Sequence, residues 1–302
     1  MLAIEADELS KIYKGIDVPA LDRISVKIDQ GQIFTLLGRN GAGKTTFVRI
    51  CATQLLPSSG TLNIFGYDVK NKAKSIRELI SVVPQEGRPL RALTPWDHVY
   101  NWLKIRGNRR HEAKVITENI LQRLELFGVK DKPAMNLSGG MKQKILVAMA
   151  LAVDVELLFL DEPTIGLDPV SRRQVWSLIQ ELKKGGKTIL LTTHYMDEAE
   201  ILSDKILIID NGKGVKEGTI NDLRKVIPQN IRVDISKNSL DIESLRSYGT
   251  VIETGTDNLR LFTFESYLRE IYNLAIKKNI LISISPITLD DVFVSLVQNK
   301  NK

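Results

Sequence analysis

The sequence predicts an α/β protein built on a mixed sheet, followed by a smaller domain that also combines helices and strands. An apolar run at residues 33–37 leads through a glycine-rich loop into a helix that starts near Thr45. A second apolar run, at residues 157–160, does not alternate with polar residues and therefore indicates a strand buried on both faces, as in a parallel sheet. Beyond Pro228 the predicted elements follow the order β-α-β-β-α-β.

The composition is that of an ordinary globular chain. The protein has 302 residues, of which 43% are hydrophobic and 26% are charged. Its single cysteine, Cys51, excludes an internal disulfide and is typical of a reducing cytoplasm. The longest apolar run, residues 145–153, is about half as long as a membrane helix, and no signal peptide is recognisable, so we expect a chain that does not cross a bilayer. The net charge of +6 suits an anionic partner and a solvated surface equally well.

Two alternating segments, residues 4–9 and 21–28, predict antiparallel strands ahead of the glycine loop. Between them, Tyr13 lies in a turn-like stretch with Lys11 and Lys14 beside it. An aromatic ring there suits stacking on a purine, and it suits ordinary packing as well. Both interpretations of Tyr13 stay open at this level.

The glycine-rich loop fits the pattern G-x-x-x-x-G-K-S/T, and it has the strand before it and the helix after it that this pattern requires. Such a loop directs successive backbone N–H groups at phosphate oxygens, and the helix N-terminus adds its positive end. We expect Lys44 to contact the β- and γ-phosphates and the Thr45 hydroxyl to bind Mg²⁺. The segment therefore predicts binding of a nucleoside triphosphate. Its residues are Gly38, Arg39, Asn40, Gly41, Ala42, Gly43, Lys44, Thr45 and Thr46.

Ser138, Gly139 and Gly140 directly precede a helix predicted over residues 141–153. Ser138 suits the N-cap position of that helix. A glycine pair at a helix start also exposes N–H donors, so a second phosphate site is the alternative. A basic loop upstream, residues 107–111, is interpreted as a solvated face, with phosphate or lipid contact as its alternative.

Two carboxylates and a histidine follow buried strands. Asp161 and Glu162 end the strand at 157–160, where ligands bind in open α/β sheets. Asp161 suits a Mg²⁺ ion held through water, and Glu162 suits polarisation of an attacking water. His194 ends the next predicted strand, residues 187–193, and lies beside Glu162 if the two strands are neighbours. A neutral imidazole there would hydrogen-bond the γ-phosphate or the water.

Taken together, these residues resemble the ATP-binding subunit of ABC transporters over about residues 2–225. The Leu-Ser-Gly-Gly sequence between Gln85 and the second motif of the nucleotide site separates ABC ATPases from other P-loop proteins. One departure is Lys144, where many members carry arginine, and the charge is kept. The matching segments are the Walker A loop (38–45), the Q-loop glutamine (Gln85), the signature (137–143), Walker B (157–161), the catalytic glutamate (Glu162), the D-loop (166–169) and the switch histidine (His194).

The resemblance implies that two copies face each other head to tail and hold each ATP between one P-loop and the partner's signature. It implies a helical subdomain at about residues 93–150 that contacts an integral-membrane permease, a peripheral position on the cytoplasmic face of the cell membrane, and no nucleic-acid partner. The implied roles are catalysis by Glu162, His194, Gln85 and Lys44, Mg²⁺ binding by Thr45, Gln85 and Asp161, and ATP binding by Tyr13, by residues 38–46 and by Ser138, Gly139 and Gly140.

The predicted boundary lies between the ATP-binding domain, residues 1–226, and an accessory domain, residues 227–302. The predicted order of strands and helices in the accessory domain is of the ferredoxin-like split β-α-β type, with helices at 240–247 and 266–278. The last predicted helix, around residues 289–296, resembles the ending of ATPases in the drug and antibiotic exporter branch. The role of this tail stays open among regulation, dimer support, permease contact and a structural cap.

Three functions compete at this level. The leading one is an ATPase that dimerises on ATP and drives a permease, for export of a small molecule or drug-like substrate. The alternative is an ABC ATPase acting on nucleic acid or ribosomes without a permease. Those relatives usually carry two cassettes or a long coiled coil, and neither is recognisable here. A non-catalytic nucleotide-binding regulator is the third, and Glu162 and His194 argue against it.

Overall fold

The computed structural model describes residues 1–236, 242–254 and 258–298. The chain forms two compact units, and the second begins at Ile220. The sequence places this boundary later, between residues 226 and 227. The difference arises because a short helix, α8 (Ile220–Arg224), contacts the last helix, α11 (Leu289–Gln298), and so belongs to the second unit.

A four-stranded antiparallel sheet opens the first unit, with the order β2-β1-β4-β5. The alternation predicted for the first two strands is confirmed, because their apolar residues lie on the buried face. That face packs in one apolar core with Phe34 of β3 and Phe47 of the helix that follows it. The strands are β1 (Leu2–Lys11), β2 (Leu21–Asp29), β4 (Ser59–Ile64) and β5 (Tyr67–Asp68).

A six-stranded mixed sheet forms the centre of this unit, with the order β10-β9-β3-β8-β7-β6. All neighbours are parallel except the edge pair of β10 and β9. β3, β7 and β8 are buried along their whole length, as the unbroken apolar runs predict. The strands are β3 (Ile33–Leu37), β6 (Ile80–Val83), β7 (Leu157–Asp161), β8 (Thr188–Thr193), β9 (Lys205–Asp210) and β10 (Lys213–Gly218).

Helices surround the sheet, and three of them contact one another in the segment, about residues 93–150, for which the sequence predicts a helical subdomain. In that subdomain α3 begins with a capping box, in which the Thr94 side chain accepts from the Asp97 N–H and Asp97 accepts from the Thr94 N–H, and Pro95 occupies the first turn. Within the described ranges, no helix is both long and apolar enough to span a bilayer. The helices are α1 (Lys44–Cys51), α2 (Ala73–Leu79), α3 (Pro95–Ile105), α4 (Arg110–Arg123), α5 (Gly139–Leu151), α6 (Pro169–Lys184) and α7 (Met196–Leu202).

The second unit contains an antiparallel sheet with the order β12-β13-β11-β14. Its first strand in the chain therefore lies between the third and the fourth, which is the split β-α-β arrangement that the sequence predicts. Residues 240 and 241 of the predicted helix 240–247 lie outside the described residues. The elements are β11 (Ile231–Ser236), α9 (Ile242–Arg246), β12 (Gly249–Thr254), β13 (Asn258–Thr263), α10 (Leu268–Lys277), β14 (Ile282–Pro286) and then α11.

The side chains on one face of β11 are apolar, and those on the other face are polar or charged. Val233 and Ile235 belong to the apolar core of this unit. Arg232, which alternates with them, contacts the buried carboxylate of Asp291 from α11 at 3.3 Å, and Arg260 of β13 contacts the same carboxylate at 2.7 Å. Because Asp291 joins two arginines, it fixes the start of α11 to this sheet.

Candidate active site

The glycine loop has the backbone shape of a phosphate cradle. Gly43 has φ +106°, and a Cβ at this position would lie 2.4 Å from the carbonyl oxygen of Ala20. At Gly38 a Cβ would lie 2.3 Å from the carbonyl oxygen of Ile209. Only glycine fits these two positions, so the glycines of the pattern are required by packing and by backbone conformation. The loop then enters α1 at Lys44.

Lys44 is almost fully buried and is held by three oxygens. Its Nζ donates to the carbonyl oxygens of Gly38 at 2.8 Å and Arg39 at 3.1 Å. The same atom lies 3.2 Å from Oε1 of Glu162. The structure thus brings together the P-loop lysine and the carboxylate that the sequence predicts to act in hydrolysis.

Three oxygen atoms from separate elements converge beside the loop. The Thr45 hydroxyl lies 2.8 Å from Oε1 of Gln85 and 3.3 Å from Oδ1 of Asp161. Gln85 follows β6, and Asp161 ends β7, so the C-terminal ends of neighbouring strands supply both groups. A hydroxyl, an amide oxygen and a carboxylate are ligands of the kind that Mg²⁺ prefers. The residues present therefore fit the predicted metal ion.

Asp161 is buried, and its environment affects its charge. Burial raises the pKa of the Asp161 carboxyl, while hydrogen bonds from Thr192 and Thr45 act in the opposite direction. Thr192 lies directly opposite Asp161 in the register of β7 and β8. Its hydroxyl donates to Oδ1 of Asp161 and accepts from the Glu162 N–H at 3.1 Å. Thr192 therefore orients both carboxylate residues.

Glu162 has an unusual backbone. Its φ is +50°, a left-handed conformation that is uncommon for a residue other than glycine. Two acceptors on Thr192 hold its N–H there, namely the hydroxyl and the carbonyl oxygen, each at 3.1 Å. Strained residues that neighbouring bonds hold in place occur at functional sites. Here the strain lies at the residue that the sequence predicts to be the general base.

His194 lies beside Glu162, as the sequence predicts for neighbouring strands. Its Nδ1 is 3.1 Å from Oε2 of Glu162. The side chain of His194 is 29% exposed, whereas that of Glu162 is 2% exposed. The His194 ring is therefore partly open to solvent, whereas the carboxylate that it contacts is buried.

The P-loop lines a cavity of about 230 Å³. Tyr13 lies next to it, because its hydroxyl is 3.2 Å from Oγ1 of Thr46. This position is compatible with the stacking interpretation of Tyr13. The lining residues are Ala20, Asn40, Gly41, Gly43, Lys44, Thr45, Thr46, Arg49, Gln85, Glu86 and Glu162.

The signature residues Ser138, Gly139 and Gly140 belong to the predicted site but do not line the P-loop cavity of the same chain. Ser138 is the N-cap of α5, since its hydroxyl accepts from the Met141 N–H at 3.2 Å. Gly139 lines a different groove, beside Arg88 and Lys142. None of Ser138, Gly139 and Gly140 is among the residues that line the P-loop cavity in the described part of the chain.

Sequence reasoning missed Thr192, the hydroxyl that serves both carboxylate residues. Its signal in the sequence is weak, since it is a polar residue near the end of a buried strand. Knowledge that β7 and β8 are neighbours is needed to place it opposite Asp161. The cavity-lining residues Ala20, Arg49 and Glu86 were also missed, and no motif includes them.

Comparison with known proteins agrees with this geometry. The model of the ABC transporter family matches residues 21–165. The chain is 37% identical over 229 residues to the daunorubicin/doxorubicin resistance ATP-binding protein DrrA of Streptomyces peucetius, a match that covers 76% of this chain and 69% of that protein. It is also 37% identical to the doxorubicin resistance ATP-binding protein DrrA of Mycobacterium tuberculosis, over 74% of this chain and 67% of that protein.

A solved structure of the ATP-binding subunit of an ABC transporter superimposes with a TM-score of 0.68 at 28% identity, covering 74% of this chain and 92% of that chain. The family match covers the segment that carries the P-loop, Asp161 and Glu162. This chain therefore belongs to the ABC transporter family, as an ATP-binding subunit that hydrolyses ATP.

Proposed function

We propose that two copies of this chain bind ATP at a shared interface and drive a membrane permease that exports a small, drug-like molecule. The observation that carries the proposal is the convergence of groups from four adjacent strand ends at the P-loop. Lys44 and Thr45 follow β3, His194 follows β8, Glu162 follows β7 and Gln85 follows β6. This edge of the sheet supplies a phosphate cradle, a base and a hydrogen-bonding imidazole together.

In the proposed reaction, Glu162 orients a water and accepts its proton while the water oxygen attacks the γ-phosphorus. The bond from that phosphorus to the bridging oxygen breaks, and the products are ADP and inorganic phosphate. Lys44 stabilises the charge on the β- and γ-phosphate oxygens. His194 keeps Glu162 oriented through the 3.1 Å contact of its Nδ1, and its other ring nitrogen faces the γ-phosphate.

We infer that Thr45, Gln85 and Asp161 hold a Mg²⁺ ion, because their oxygens converge within hydrogen-bond distance of Thr45. Mg²⁺ would neutralise charge on the phosphate oxygens. The chain's own contribution is orientation. Thr192 fixes the Asp161 carboxylate, and the start of α1 fixes the Thr45 hydroxyl.

The proposed dimer completes the site. Ser138, Gly139 and Gly140 lie at the N-terminus of α5, where helix geometry provides N–H donors and a positive end for an anion. Since these residues do not line the P-loop cavity of their own chain, we propose that they bind the γ-phosphate held by the second copy. Tyr13 is proposed to stack on the adenine.

Export through a permease is supported by two observations. The DrrA relatives are named for drug resistance, and the sequence match to them covers about three quarters of this chain. In addition, the sequence of α11 around residues 289–296 resembles the ending of ATPases in the drug and antibiotic exporter branch. A permease partner would hold the subunit at the cytoplasmic face of the membrane. No observation favours an action on nucleic acid or ribosomes.

The test of the ATPase proposal is Glu162→Gln. Phosphate release should fall by at least about 100-fold, since the glutamine does not accept a proton at neutral pH. ATP should still convert this variant into a dimer on a sizing column, because no phosphate contact is removed. Glu125→Gln is a matched control, as Glu125 also has a positive φ of +56° but lies exposed in the helical subdomain. Full hydrolysis by Glu162→Gln contradicts the role given to Glu162.

The transport proposal has a separate test. Affinity purification of the full chain from detergent-solubilised membranes should recover an integral-membrane protein with several spans, and that protein should stimulate phosphate release. Recovery of ribosomal proteins or RNA instead would refute the permease proposal while leaving the ATPase intact.

A further inference from the structure

Glu198 is a fully buried carboxylate that the proposed chemistry does not use. It lies in the first turn of α7 and has a relative exposure of 0%. Its Oε1 accepts two hydrogen bonds, one from the Thr164 hydroxyl at 2.7 Å and one from Nε1 of Trp176 at 2.8 Å. Burying a carboxylate is costly, so the bonds that it makes are expected to fix their surroundings firmly.

The bond between Glu198 and Thr164 joins the same two chain segments as the contact between His194 and Glu162. Thr164 is two residues after Glu162, and Glu198 is four residues after His194. The two chain segments leave the neighbouring strands β7 and β8 and are thus joined twice, once at the reacting groups and once just behind them. The second bond therefore restrains the distance across which the first is made.

Arg172 of α6 strengthens the same attachment from another side. Its guanidinium lies 4.2 Å from the ring centroid of Tyr195, the residue next to His194. It also donates to both carboxylate oxygens of Asp197, at 3.1 and 3.2 Å. The start of α7 is therefore held on α6 by Arg172 and Trp176 and on the loop after Glu162 by Thr164.

We propose that Glu198 is a positioning residue for ATP hydrolysis, which acts by holding His194 at the correct distance from Glu162. The inference rests on the roles proposed above for Glu162 and His194. Glu198 itself does not line the P-loop cavity, so it does not touch ATP. It acts through the start of α7, and its loss should lower kcat while leaving KM for ATP within about twofold, because displacement of a catalytic group by about 1 Å can cost 100-fold in rate.

Replacing Glu198 by glutamine removes the negative charge but keeps the shape of the side chain, so it tests whether the position or the charge of this group matters. Both donors bind Oε1, and Oε2 has no hydrogen-bond partner among the described residues. In Glu198→Gln the amide oxygen keeps both bonds, and the amide nitrogen takes the place of the unpartnered oxygen. We therefore expect kcat of Glu198→Gln within about threefold of the unmodified protein and a loss of about 10- to 100-fold for Glu198→Ala.

The experiment is a double-mutant cycle on the full chain, read as single-turnover release of labelled phosphate. Four proteins are compared, namely the unmodified chain, His194→Ala, Glu198→Ala and the double variant. If Glu198 acts through His194, then Glu198→Ala has little further effect once His194 is absent. An equal loss in both backgrounds overturns the proposal, and so does an equal loss in Glu198→Gln and Glu198→Ala.

Two further outcomes are separable. If His194→Ala alone hydrolyses ATP at the unmodified rate, the role proposed for His194 fails, and the present inference fails with it. If His194→Ala is slow but Glu198→Ala is not, only the present inference fails. Should Glu198→Ala not fold, Thr164→Val removes one of the two bonds with almost no change of shape, and the same cycle with His194→Ala decides the question.

Discussion

Substitution of Thr192 tests whether the pairing of β7 with β8 orients the two carboxylate residues of the site. Replacing it by valine keeps the shape and the β-branched side chain that suits a strand. The change removes the hydroxyl that donates to Asp161 and accepts from the Glu162 N–H. The Glu162 N–H keeps its second acceptor, the Thr192 carbonyl oxygen at 3.1 Å. The perturbation is therefore concentrated on the side chain of Asp161 and on the strained turn at Glu162.

The structure sets the size of the effect. A hydrogen bond to a charged group contributes about 1.5–3 kcal/mol. Thr192 is fully buried, so water cannot replace its hydroxyl. We expect the free energy of unfolding to fall by about 2 kcal/mol. Because both carboxylate residues lose a fixed orientation, kcat should fall about 10- to 100-fold, which corresponds to about 1.4–2.7 kcal/mol.

Thr188→Val is the matched control for Thr192→Val. Thr188 is the first residue of the same strand, is also buried, and uses its hydroxyl to accept from the Gly31 N–H at 3.0 Å, away from the site. Chemical denaturation should show a loss of about 1 kcal/mol in this control. Its phosphate release should remain normal. If Thr192→Val hydrolyses ATP as fast as Thr188→Val, the orienting role derived for Thr192 is wrong.

Two other substitutions test the glycine loop and the second unit. Gly38→Ala should abolish binding of a fluorescent ATP analogue, because its methyl group would lie 2.3 Å from a backbone carbonyl oxygen. Gly66→Ala, in the turn between β4 and β5, is the control: Gly66 has φ +79° and nothing within 4 Å, so this variant should cost only about 1–2 kcal/mol of strain and keep its binding. Equal binding by both variants would contradict the packing argument. Asp291→Ala should destabilise the second unit by about 1.5–3 kcal/mol, since both arginines lose a buried charged acceptor but keep Asp234 as a partner. Asp290→Ala, whose side chain is 56% exposed, should change stability by less than about 0.5 kcal/mol. Hydrogen exchange of peptides from this unit measures both, and similar protection in the two variants would refute the role of Asp291.

The sequence alone predicted that Glu162 and His194 lie at one edge of the sheet, because each follows an apolar run that is typical of a buried strand. The apolar run before Asp161 identifies β7, and the run before His194 identifies β8. Parallel strands bring their C-terminal ends to one edge, so the closeness of Glu162 and His194 followed once the strands were taken as neighbours. The order of elements in the second unit was predictable in the same way, from strand and helix patterns.

What could not be predicted depends on pairings between distant segments. The positive φ of Glu162 is held by acceptors on Thr192, thirty residues further along the chain. The attachment of Glu198 to Thr164 and Trp176 joins three elements, and a buried glutamate at the start of a helix reads in the sequence as an ordinary first-turn acid. The second compact unit begins earlier than the predicted domain boundary because α8 is short, and only its contact with α11 assigns it.

The geometry of α5 explains why the proposed site needs a second copy. A helix leaves its first N–H groups without acceptors inside the helix. In α5 the Ser138 hydroxyl satisfies one of them, the Met141 N–H, and the regular helical bonds begin with the Lys142 N–H on the Ser138 carbonyl oxygen. Helix geometry gives Gly139 and Gly140 no such acceptor, and the absence of side chains leaves their N–H groups open to an anion. Because their own P-loop cavity does not include them, we propose that the phosphate they bind is presented by a second copy of the chain.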